Sequence, residues 1–121
     1  MRPAAVLERR RAERAGLLAS ARAFVARLPD ALGLRAVAVF GSVARGDFNV
    51  WSDVDVLIVA EGLSDDYWSR LAALGDVPSG IEPVVWTSSE WSRQRARGNP
   101  IALEAERHGV WLVGSPEQLA V

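Results

Sequence analysis

Asp53 and Asp55 stand one residue apart at the head of the apolar run Val54, Val56, Leu57, Ile58, Val59. A β-branched run of that kind reads as a strand. In a strand the side chains at i and i+2 leave the same face, with Cα atoms roughly 6.5 Å apart. Two carboxylates held in that way suit a hard divalent cation such as Mg²⁺, whose shell substrate phosphates commonly complete. Aspartate is depleted in strands, so two of them beside Val54 and Val56 mark a site better than they mark a solvated strand end.

The segment just upstream supplies a complementary half. Residues Arg35 to Phe40 form a short apolar run that reads as a strand, and Gly41-Ser42 ends it abruptly. Glycine admits a positive φ and lets another group approach the main chain. The N–H groups of this turn, and of a short helical turn that Ser42 is expected to cap, suit phosphate oxygens. Arg45 and Gly46 follow, where a guanidinium could reach a polyphosphate. An anion cradle and metal carboxylates therefore fall within about a dozen residues of each other.

The order of strand, Gly41-Ser42, Ala44-Arg45-Gly46, spacer, Ser52-Asp53-Val54-Asp55 and apolar strand resembles the nucleotidyltransferase superfamily of the DNA polymerase beta type. Within it the chain looks like a minimal nucleotidyltransferase, the kind often paired with a HEPN-domain protein. The resemblance extends more loosely over residues 34–114. It implies an α/β (α+β) fold, with a mixed sheet of about four strands and helices packed on it. It also implies Mg²⁺-dependent transfer of a nucleoside monophosphate, with ATP as the expected donor, to an acceptor hydroxyl. Asp53 and Asp55 would hold two Mg²⁺ ions. Gly41, Ser42, Arg45, Gly46 and Ser52 would form the nucleotide side of the site, with Ser52 orienting the loop before Asp53. The family also leads one to expect a third carboxylate on a later strand, and Glu82 is the choice, as the acid on Ile81–Trp86. Two departures bear on it: many relatives have aspartate there, and Pro83 follows, a residue normally confined to a strand start, a bulge or a sheet edge.

Larger members of the superfamily carry a helical domain for the second substrate, for which 121 residues leave no room. The acceptor is therefore expected on another chain, either a second copy or a HEPN-domain toxin for which this chain would be the antitoxin. The competing expectation is a binding module that keeps the fold without turnover and neutralises a partner by covering it. Glu82 separates the two, because an enzyme needs it aimed at the metals.

Composition narrows the remaining classes. A chain of this length reads as one domain, residues 1–121, with a helix over about 4–28 ahead of the core. No apolar run approaches the ~20 residues that cross a bilayer, and no secretory signal is evident, so a cytoplasmic location is expected. Cysteine is absent, which removes disulfides and thiolate metal sites. The formal charge of −1 divides into +6 over residues 1–45 and −7 over residues 46–121. All fourteen basic residues are arginine. Without lysine there is no Walker motif. The basic N-terminus could meet RNA or an acidic partner, but an exposed helix face accounts for it equally.

The elements that must position the site follow from periodicity. Leu17, Leu18, Ala21, Phe24, Val25 and Leu28 form a helical stripe, whereas residues 9–16 have little apolar content and are expected to project or fray. Ser64-Asp-Asp is expected to cap and open a helix that Gly75 ends. Thr87-Ser-Ser-Glu90 matches a capping box, and Asn99-Pro100 a cap with a first-turn proline. Val110–Val113 reads as a last short strand. His108, near a helix C-terminus, is expected to be structural. The tryptophans are expected mostly in the core, with Trp51 the one suspected of meeting a base or partner.

Overall fold

The chain is described by a computed structural model over residues 3–120. Its centre is β2 (Val54–Ala60), flanked by β1 (Leu34–Phe40) antiparallel on one side and β3 (Ile81–Trp86) parallel on the other. A fourth strand, β4 (Val110–Val113), pairs antiparallel with β1, so the order is β3-β2-β1-β4. This is the mixed four-stranded sheet expected from the sequence. β1 and β2 are buried along most of their length because helices cover both faces.

Period-two alternation divides the core between those faces. Val37, Val39, Val54, Val56 and Ile58 pack with Leu18, Ala21 and Phe24 of α1 (Pro3–Ala26) and with Leu74 beyond α3 (Tyr67–Ala73). Ala36, Ala38, Phe40, Leu57 and Val59 pack with Trp91 of α4 (Ser88–Ala96), Ala102 and Ala105 of α5 (Pro100–His108) and Leu119 of α6 (Pro116–Leu119). Between β1 and β2 the chain makes the five-residue helix α2 (Gly41–Arg45). Asp53 and Asp55 share the parity of Leu57 and Val59. The two carboxylates thus lie at the end of the sheet, on the α4/α5 face.

Several helix ends follow the cap chemistry written in the sequence. Thr87 and Glu90 form the reciprocal capping box, and Asn99 accepts from the Ile101 N–H ahead of Pro100. Other expectations are corrected. α3 starts at Tyr67, not in the Ser64-Asp-Asp segment, because Asp66 takes the cap by accepting from the Ser69 N–H at 2.8 Å. Ser42 caps nothing: it lies inside α2, whose N-cap is Phe40. α6 is an element beyond those expected, although Ser115-Pro116 carries the same cap-plus-proline signal as Asn99-Pro100.

The tryptophans divide differently from expectation. Trp91 is buried and meets Trp111 edge-on at 5.7 Å and Trp86 at 6.4 Å. Trp51 and Trp68 are 88% and 73% exposed, so Trp68 joins Trp51 outside the core. It packs edge-on against Tyr67, itself exposed. Within residues 9–16 of α1, expected to project or fray, Arg10 and Arg14 are docked by hydrogen bonds onto α2 and the segment that follows, a form of attachment that hydropathy does not register.

Candidate functional site

β1 ends at Phe40, whose register partner on β2 is Asp55, and Asp55 is in turn paired with Glu82 on β3. Register partners on parallel strands project to the same face, so Asp55 and Glu82 lie side by side. Asp53 joins them from two residues upstream. The sheet thus brings together the three acids picked from the sequence. Pro83 fits where it stands because β3 is an edge strand, where a missing N–H costs no ladder bond.

Gly41 closes the site from the β1 side. Its φ is +74°, and a Cβ there would stand 2.2 Å from Asp55 Oδ2. Two independent constraints therefore require glycine: a left-handed backbone and contact with a carboxylate. The first-turn N–H groups of α2 have no partner within the helix and start from this glycine. Ser42 is half-buried beside them.

Electrostatics mark Asp55 as the centre of the cluster. Burial, then repulsion from Glu82 and from Asp53, push its carboxyl above the usual range, with Arg45 opposing. Asp53 and Glu82 are exposed. Among the described residues, no three acid or histidine side chains are grouped so as to hold a metal by themselves. Mg²⁺ does not require such a cage, because one or two carboxylates with substrate phosphates and water suffice. Hard oxygen donors that repel one another around a half-buried aspartate are of the kind that could hold a divalent cation.

The remaining motif residues serve the loop. Gly46, at φ +90°, ends α2 and donates its N–H to Ser42 O at 2.8 Å. Arg45 Nε donates to Asp47 Oδ2 at 3.1 Å and its Nη1 to Glu104 Oε1 on α5, so its guanidinium ties α2 to two acids. Ser52 Oγ accepts from the Asn49 N–H at 3.0 Å, and the Ser52 N–H returns to Asn49 O, a local closure just ahead of Asp53. His108 is exposed at the end of α5.

The sequence reading missed three residues around this site: Arg10, Arg14 and Glu104. A signal existed for the two arginines. They lie eight and four residues before Leu18, which places them on the same helical stripe as Leu18 and Ala21. Glu104 had none, since only the packing of α5 beside α2 brings it to Arg45.

The model of the family described as "Nucleotidyltransferase domain" matches residues 21–107, more than half of the chain. The chain belongs to that family. The matched span holds Gly41, Asp53, Asp55 and Glu82 and leaves out the first part of α1. Among solved structures, it is similar to a "putative nucleotidyltransferase" from Sulfolobus solfataricus, with 22% identity, 84% of each chain covered and a TM-score of 0.64. It is also similar to a structure described as a toxin-antitoxin with AMP-PNP, with 18% identity, 82% of this chain and 77% of the other covered, and a TM-score of 0.53. At these identities the likeness is one of fold. No curated protein matches the chain. Among the described residues, no helix of this nucleotidyltransferase domain is long and apolar enough to cross a membrane.

Proposed function

We propose that this nucleotidyltransferase domain transfers AMP from ATP to a hydroxyl of a partner protein. The partner we infer is a HEPN-domain toxin, with this chain as its antitoxin. One observation carries the reading: the Asp55 carboxylate, flanked by Glu82 and Asp53, lies against the glycine from which a short helix starts. That arrangement supports a triphosphate cradle beside oxygens suited to a metal. The fold shared with a toxin-antitoxin structure described with AMP-PNP supports the partner and nucleotide classes.

In this scheme Asp53 and Asp55 would hold Mg²⁺ together with the phosphates, and Glu82 would add a further carboxylate oxygen. Ser42 and the first-turn N–H groups of α2 receive the β and γ phosphates. Bound there, the metal would neutralise phosphate charge and make the attacking hydroxyl more acidic. The acceptor oxygen forms its new bond to the α-phosphorus as the bond from that phosphorus to pyrophosphate breaks. The hydroxyl proton passes to a carboxylate of the site, with Glu82 placed beside Asp55 to receive it. An open groove of about 410 Å³ lined by Tyr67, Arg70, Glu82, Val85 and Glu90 adjoins that carboxylate and is where an acceptor side chain would approach.

The test is incubation of the purified chain with Mg²⁺ and ATP labelled at the α-phosphate, with and without a candidate HEPN-domain partner. Label on the partner that disappears with Asp53→Asn supports the proposal. A tight complex without label points instead to a binding module that acts by covering its partner. Full labelling by Asp53→Asn overturns the metal assignment.

A further inference from the structure

α2 has five residues, too few to satisfy its own C-terminal carbonyls. Ser42 O is taken by the N–H groups of Gly46 and Asp47, at 2.8 and 3.1 Å. The next two carbonyls are taken from outside: Arg14 Nε donates to Val43 O at 2.9 Å, and its Nη2 to Ala44 O at 2.8 Å. One turn earlier on α1, Arg10 Nη2 donates to Phe48 O at 2.5 Å and to Gly46 O at 3.2 Å. The Arg10 guanidinium also stacks 4.1 Å from the centre of the Phe48 ring.

Beyond the two arginines, the segment is held by Arg45 on Asp47 and by closures among its own residues, Asn49 with Trp51 and Ser52. Between Asp47 and Ser52 only Phe48 is buried, whereas Val50 and Trp51 are 87% and 88% exposed. This segment joins the Gly41–Ser42 turn to Asp53, so, while the β1–β2 register fixes Asp55 against Gly41, the placement of the segment bears on where Asp53 stands. A planar guanidinium can bridge two successive carbonyls, and its charge is favoured at a helix C-terminus. A lysine at position 14 could supply the charge but not the fork.

We propose that Arg14, assisted by Arg10, is a positioning residue of the site, holding Val43–Phe48 so that the Gly41 turn and Asp53 stand in working relation. The effect on triphosphate binding rests on the proposed nucleotidyl transfer; the effect on the loop does not.

The experiment compares Arg14→Ala, Arg14→Lys and Arg10→Ala with Val25→Ala, a control that removes core contacts of α1 about three turns further along. Amide hydrogen exchange and binding of Mg²⁺ with a non-hydrolysable ATP analogue are read on the full chain. For Arg14→Ala, we expect the amides of Gly46, Asp47, Asn49 and Ser52 to exchange about tenfold faster or more while those of β1 and β2 keep their protection. The analogue should bind roughly tenfold more weakly, with Arg14→Lys intermediate and Arg10→Ala in the same direction. Val25→Ala should lower the thermal midpoint without either signature. Unchanged loop exchange in both Arg14 variants overturns the proposal, as does acceleration spread evenly over the sheet. A wild-type chain that binds no analogue counts against nucleotidyl transfer and leaves the exchange pattern to decide the clamp.

Discussion

Replacing Gly41 by alanine tests the closest contact in the site. The backbone at φ +74° would cost an L-residue about 1–2 kcal/mol by itself. The added methyl would also fall 2.2 Å from Asp55 Oδ2 and 3.2 Å from its Cγ. Relief to ordinary contact requires the carboxylate to move by about 1 Å, a displacement that can cost on the order of a hundredfold in rate when it misplaces a reacting group. The structure supplies its own control in Gly46, with φ +90° and no heavy atom within 4 Å of where a Cβ would stand. Gly46→Ala should show the backbone cost alone, whereas Gly41→Ala should lose about 1–3 kcal/mol more in urea unfolding. Metal-dependent nucleotide binding should fall with it. In an Asp55→Ala background the nearest remaining atom of that side chain is Cβ at 3.6 Å, so the excess cost of Gly41→Ala should vanish. Equal costs at the two glycines, or strict additivity with Asp55→Ala, would refute the claim that Asp55 lies against this turn.

Two further predictions follow from charge. Because Asp55 has its carboxyl raised by burial and by Glu82 and Asp53, its ionised form opposes folding at neutral pH. That opposition is relieved as pH falls through its folded value toward the unfolded one. Asp55→Asn should therefore raise the thermal midpoint of the metal-free chain at pH 7–8 and flatten this part of its pH dependence. Its transfer activity, measured with labelled ATP, should drop on the order of a thousandfold. Glu90 shows the opposite sign. Burial works against its charge, but the Thr87 N–H and the Arg70 guanidinium at 2.7 Å together hold its carboxyl below the usual range. Its contribution is present above the unfolded carboxyl's value, near ~4.3, and is lost as pH falls through the lower folded one. Glu90→Gln keeps an oxygen for the capping box and should cost about 1 kcal/mol at pH 7, a difference from wild type that disappears under acid when unfolding is followed by circular dichroism.

Residue types and their spacing were enough to read four strands and most helix ends and to put Asp53 and Asp55 on one face, because each depends on neighbours in the chain. Period-two alternation sets the face on which Asp53 and Asp55 emerge, and Thr87, Asn99, Pro100 and Gly75 act within a turn of where they stand. Tertiary structure decided what distant parts do to one another. Parallel pairing in register put Glu82 beside Asp55. Packing of α5 against α2 turned Arg45 toward Glu104. The docking of α1 gave Arg10 and Arg14 carbonyl partners 29 to 38 residues away. A guanidinium that satisfies a far-off carbonyl leaves no mark in local hydropathy, so an arginine that looks solvated in the sequence can be the one that holds the loop.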